Sequence, residues 1–154
     1  MKKIEILLDQ YGESHQNKQN KLIHWFCVPL IFFSLLCMVW SIPFPFPSIL
    51  FGYINWATIG LMLVLIYYSS LSLTLASGMG VFSMILIIAI YAINVATNAL
   101  LPISIFIFIA AWLGQFYGHK IEGKKPSFLK DIQFLLIGPA WLMRFIYKKL
   151  GIAL

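Results

Sequence analysis

The chain has 154 residues, of which 61% are hydrophobic and only 10% charged, with eleven Lys and Arg against five Asp and Glu. A soluble domain carries roughly a quarter of its residues charged, so this composition excludes an ordinary soluble fold and reads as an integral membrane protein. The net charge of +6 does not mark a nucleic-acid binder, because the lysines flank apolar segments and are not interleaved with aromatics in a soluble patch.

The first segment, Met1 to Lys21, is polar and holds Lys2, Lys3, Glu5, Asp9, Glu13, Lys18 and Lys21. No cleavable signal peptide is expected, since the apolar run that follows is too long for a signal core. From Leu22 to Gly118 the chain contains no Asp, Glu, Lys or Arg. A helix needs about twenty apolar residues to cross a roughly 30 Å hydrocarbon core, and this block has room for four. The expected spans are 22–40, 49–75, 79–97 and 101–117. They are separated by Pro43-Phe44-Pro45-Phe46-Pro47, by Ser77-Gly78 and by a break from Asn98 to Pro102. Such short connections make neighbouring spans antiparallel. After Lys130, the segment Asp131 to Leu150 is interrupted by Gly138-Pro139 and ends in Arg144, Lys148 and Lys149. It is expected to be a bent interfacial or shallow re-entrant helix, which keeps its basic end among headgroups. The fold class is therefore all-α, a multi-pass membrane bundle of about four spans plus that C-terminal helix, in one domain covering 1–154.

An even number of crossings puts both Lys-rich ends on one side, which the positive-inside bias makes cytoplasmic. An anionic lipid surface is the partner these lysines fit. Trp25, Trp40 and Trp112 lie near expected helix ends, as an interfacial belt or core packing would have them. Cys27 and Cys37 are ten apart in one apolar segment and read as core residues, with neither a disulfide nor a zinc spacing.

The same count gathers the three histidines at one membrane face. His24 opens the first span, a costly place for an imidazole without a partner or a task, with Asn20 four residues before it on the same helix face. His15 is nine residues before His24, so a break around 16–20 must fold it over the helix end. Asn17 and Asn20 suit such a cap or turn. At the other edge, if the last helix continues past Gly118, His119 and Glu122 stand at i and i+3 on one face, a spacing with which helical bundles present a nitrogen and a carboxylate to one metal. Against this, Glu122 can form a surface ion pair with Lys120 or Lys125, and His24 can serve an interhelical hydrogen bond. Neutral imidazoles suit iron, zinc, copper or nickel. Asn94, Asn98 and the serines from Ser69 to Ser77 read as helix-packing residues. Gly78-Met79-Gly80 reads as a turn with no phosphate-loop character, and no Ser/His/Asp set is available.

Two stretches go further. Tyr11-x-x-x-His15-x-Asn17-x-x-Asn20-x-x-Ile23-His24-x-x-x-Val28-Pro29, together with Trp112-x-x-Gln115-Phe116-x-Gly118-His119-x-x-Glu122-Gly123-Lys124-x-Pro126 and then Gly138-Pro139, resembles the Mpo-like 2-hydroxy fatty acid dioxygenases over nearly the whole chain. The resemblance implies a ferrous-iron (Fe2+) enzyme that uses O2 to shorten a 2-hydroxy fatty acid by one carbon with release of CO2. It implies His15, His24 and His119 as catalytic metal ligands, Glu122 as a further ligand or an orienter of an imidazole, and Asn17 and Asn20 as supports of the N-terminal loop. Lys120 and Lys124 can then meet the substrate carboxylate. Two positions depart from the pattern: Cys27 replaces a commoner glycine, and Arg144-Phe145 stands where a late acidic residue is often found, so the fourth ligand is not fixed. A non-catalytic membrane scaffold or lipid-binding protein and a zinc-dependent lipid hydrolase are the competing expectations, whereas a di-iron hydroxylase needs far more than three histidines. No endoplasmic-reticulum retrieval signal stands at Ile152-Ala153-Leu154, which favours a bacterial inner membrane, or the reticulum if the source is eukaryotic.

Overall fold

The structure is a computed structural model and describes residues 3–46, 54–125 and 133–154. Those residues form six helices and no strand: α1 (Lys3–Gly12), α2 (Lys18–Trp40), α3 (Trp56–Leu71), α4 (Leu73–Ala96), α5 (Leu100–Glu122) and α6 (Phe134–Leu150). Three of them, α2, α4 and α5, are long and apolar enough to cross a membrane, and the chain is a multi-pass membrane protein. Large apolar side chains such as Leu63, Leu73 and Phe106 are exposed, a surface that lipid solvates and water would not.

Several boundaries differ from those expected. Helix α2 starts one turn early, at Lys18, because the Asn17 side chain accepts hydrogen bonds from the Gln19 and Asn20 amides at 2.8 and 3.4 Å. The break between the second and third spans is at Ser72, not at Ser77-Gly78. Ser72 is extended (φ −166°, ψ 124°) and its hydroxyl accepts from the Leu75 amide at 3.2 Å, so it ends one helix while capping the next. Gly78, expected in a turn, lies inside α4, where a Cβ would collide with the Tyr147 side chain. Glycine serves close approach of two helices there. Asn98 likewise lies beyond the end of α4, which Thr97 caps. Helix α5 begins at Leu100 and takes Pro102 into its first turn, where no amide donor is needed. It then runs to Glu122, five residues past the expected end, and stops at Gly123, whose φ of 70° is the left-handed conformation favouring glycine. Helix α6 runs through Gly138-Pro139 without interruption. The expected start at Ile49, the end of the proline-rich linker at Pro47, and Pro126, Lys130 and Asp131 lie outside the described residues.

Helix α1 was not anticipated within a segment that reads as polar. Its buried residues Ile4, Leu8 and Tyr11 follow the i, i+4, i+7 spacing of one helical stripe and pack on α6, with an Arg144 to Asp9 ion pair at 2.6 Å outside. The largest helix pair is α2 with α5. These two run antiparallel, since the first turns of α2 meet the last turn of α5. Close approach is possible because Gly114 and Gly118, four apart on α5, face Cys27 and Asn20 of α2. Two apolar clusters fill the bundle. One, around Leu8, Tyr11, Tyr68, Met79, Ile137 and Trp141, lies at the His15 end. The other, around Cys37, Leu61, Leu86, Ile90 and Leu100, lies at the opposite end. The hydroxyls of Tyr68 and Tyr147 tie α6 to the bundle by donating to the Leu136 and Thr74 carbonyls, each at 2.6 Å.

Candidate metal centre

The turn from Glu13 to Asn17 folds His15 back over the first turns of α2, and the C-terminal turn of α5 brings His119 to the same point. One ring nitrogen from each of His15, His24 and His119 lies within 4.8 Å of the other two, and all three residues are buried. Ring centroids are separated by 4.2 Å for His15 and His24, 5.0 Å for His15 and His119, and 4.9 Å for His24 and His119. Tyr11 stacks on the outer face of His15 at 4.3 Å with an interplanar angle of 12°, fixing that ring from behind.

The hydrogen bonds determine which nitrogens are free. His15 Nδ1 donates to the Tyr11 carbonyl at 2.6 Å, and His24 Nδ1 donates to the Asn20 carbonyl at 2.9 Å. A carbonyl oxygen only accepts, so both Nδ1 atoms carry the hydrogen and both Nε2 atoms are left as bare lone pairs. Those two Nε2 atoms face each other 2.8 Å apart. Two facing lone pairs at that distance repel unless a cation sits against them. A proton would suffice, but burial pushes the His15 imidazole down to about 4, so the neutral form dominates near pH 7. A metal ion satisfies the pair without charging either ring. Both lone pairs are turned toward the space between the rings, where one cation could meet them. Donation of the remote N–H to a backbone carbonyl is also the usual support of a metal-binding histidine. His119 adds an Nδ1 that is buried without a hydrogen-bond partner among the described residues. The donor set thus fits a divalent transition metal held by imidazoles.

A family profile described as 2-hydroxy-palmitic acid dioxygenase Mpo1-like matches residues 1–150. The chain belongs to the Mpo1-like family. It is 28% identical over 143 residues to the 2-hydroxy-palmitic acid dioxygenase MPO1 of Saccharomyces cerevisiae, an alignment covering 92% of this chain and 78% of the yeast protein. No solved structure matches the chain.

In this Mpo1-like chain the other expected site residues are arranged around the imidazoles. Glu122 does share the His119 end of α5, but its carboxylate is engaged by α2. One oxygen accepts from the Gln16 amide at 2.7 Å, and the other from the Asn17 amide at 2.9 Å and Asn20 Nδ2 at 3.0 Å. The compact nitrogen group consists of the three histidines without it. Asn17 caps α2, and Asn20, fully buried, reaches both Glu122 and the Ser14 carbonyl. Lys120 is exposed, and Lys124 Nζ donates to the Glu13 carbonyl at 2.7 Å.

Gly118 completes this arrangement. A Cβ at that position would lie 2.5 Å from Asn20 Oδ1 and 3.3 Å from Ile23 Cγ2. Asn20 cannot swing away without leaving Glu122. Gly118→Ala is therefore expected to force α2 and α5 apart and cost about 1–3 kcal/mol, read as a lower midpoint of thermal unfolding in detergent. An unchanged midpoint would show that the contact is loose. Sequence reasoning assigned no role to Tyr11, Gly114, Gln115 or Gly118. Two signals were nonetheless present: the four-residue spacing of Gly114 and Gly118, and Tyr11 four residues before His15.

Proposed function

We propose that this protein is an Fe2+-dependent dioxygenase that converts a 2-hydroxy fatty acid and O2 into the acid one carbon shorter, CO2 and water. The reading rests above all on the two bare Nε2 atoms that face each other with their N–H groups committed to carbonyls. The family and its yeast relative supply the substrate class. His15, His24 and His119 would hold the iron, and bound ferrous iron supplies one-electron chemistry with O2 and a Lewis-acidic centre for the hydroxy-acid head.

The chain's own residues do the rest. Backbone carbonyls of Tyr11 and Asn20 hold two imidazoles in the ligating tautomer, and Tyr11 stacking prevents rotation of His15. Glu122 acts through Asn20 and the Gln16 and Asn17 amides as a clamp on the turn that carries His15. Burial at the junction of α2, α5 and α6 excludes water from the reacting end. In four antiparallel crossings by α2 to α5, within a single domain over 1–154, the histidines lie at headgroup depth on the cytoplasmic face of a bacterial inner membrane. There a fatty acid presents its carboxylate and 2-hydroxyl while its tail stays in lipid. Lys120 and Lys124 form a positive rim that draws an anionic head to that level.

Purified protein stripped with a chelator is expected to stop forming pentadecanoic acid from 2-hydroxypalmitate and to resume when ferrous iron is restored under air. Full activity in the presence of the chelator would sink the dioxygenase reading. Restoration by zinc without O2 would assign a hydrolase instead.

A further inference from the structure

A cavity of about 180 Å³ lies between α2, α5 and α6 beside His119. Its α2 wall is Val28, Ile31, Phe32 and Leu35, which stand four, seven, eight and eleven positions after His24 and so share one face. At about 1.5 Å per residue this wall extends roughly 16 Å along α2 from the level of the histidines. The α6 wall includes Leu136 and Pro139, so the space is apolar along its length. Water needs two to four polar partners, and an apolar void of about 150 Å³ stays dry and takes a hydrocarbon guest. Polar groups line it at one end only. There Gln115, one turn before His119 on α5, is 5% exposed and lines the cavity.

A narrow apolar space topped by a carboxamide is shaped for an amphiphile. We propose that this cavity seats a single unbranched alkyl chain, and that Gln115 recognises the oxygenated head at its upper end. The carboxamide N–H donates to a carboxylate oxygen and its carbonyl accepts from a 2-hydroxyl. An unsubstituted acid leaves that carbonyl unpaired, which makes Gln115 a specificity-determining residue. Leu35, at the deep end, belongs to the exposed apolar surface, so a longer chain continues into lipid. The identity of the head group rests on the dioxygenase reading; the chain seat does not.

The test uses metal-free full-length protein in phosphatidylcholine nanodiscs with a 2-hydroxypalmitic acid probe that carries a mid-chain diazirine. After irradiation, peptide mapping is expected to place the label on residues 28–35. 2-Hydroxypalmitate should compete about tenfold better than palmitate. Gln115→Leu should keep the label and bring that ratio to about one. Ile31→Trp should remove the label, whereas Ile31→Ala should retain it, which separates blocking from misfolding. Label scattered over outward-facing residues such as Phe106 and Leu113, with no competition, would overturn the seat, and an unchanged ratio in Gln115→Leu would overturn the recognition. Because no metal is present, competed labelling without turnover in the iron-loaded protein discards the dioxygenase and keeps the seat; turnover with scattered label does the reverse.

Discussion

His24→Ala is expected to purify without iron and to convert 2-hydroxypalmitate at least about 100-fold more slowly than the unaltered protein, since even the outer supports of metal ligands are worth about 10–100-fold in affinity or activity. His24 is carried in the second turn of α2, with its Nδ1 held by the Asn20 carbonyl and its Nε2 directed at His15. Alanine removes that nitrogen and leaves two dispersed donors. The variant should stay folded, because losing the ring also removes one of two opposed lone pairs. Elemental analysis and circular dichroism together check this. Stoichiometric iron in folded His24→Ala would move the metal elsewhere, and undiminished turnover would remove the three histidines from the chemistry.

The second large effect is expected from Glu122→Ala. Three donors from the start of α2 lose their common acceptor. Hydrogen bonds to a charged group contribute about 1.5–3 kcal/mol each when well buried. Glu122 is only partly buried, and solvent screening reduces the sum to about 2 kcal/mol. Loosening the turn that carries His15 should also weaken iron binding about 10–100-fold. Glu122→Gln, which retains an acceptor oxygen, should fall between. A clamp and a ligand are separated by spectroscopy: at saturating iron the ferrous absorption and magnetic signature should be the same in Glu122→Gln as in the unaltered protein. A changed signature would make Glu122 a ligand.

Much of this site was legible because its logic is topological. A charge-free block from Leu22 to Gly118 with room for an even number of helices brings its two edges to one face, and all three histidines lie near those edges. Helix α5 had to pass Gly118 for His119 and Glu122 to share a face, and it does. What escaped depends on packing that composition does not display. Gly78 reads as a turn, yet it sits in a helix because Tyr147 needs the space; Ser72 reads as an ordinary small residue, yet its extended backbone makes the break. Helix α1 is short and bordered by charges, so its three-residue apolar stripe is weak beside the long spans. Glu122 was assigned by its spacing from His119 and by the resemblance, and neither reveals that the Gln16 and Asn17 amides before α2 lie within its reach.

The clamp joins residues 105 and 106 positions apart, which imposes an order on biosynthesis. As the chain leaves the ribosome, His15 and His24 enter the membrane surface long before His119 exists. Non-local contacts of this separation form late. With the three histidines as ligands, as proposed, metal loading would follow insertion of the last long helix, and a truncated product that lacks α5 would carry an incomplete ligand set. Under the proposed function, metal occupancy would then report that the chain has been threaded through α5, a checkpoint written into the distance between its first and last histidines.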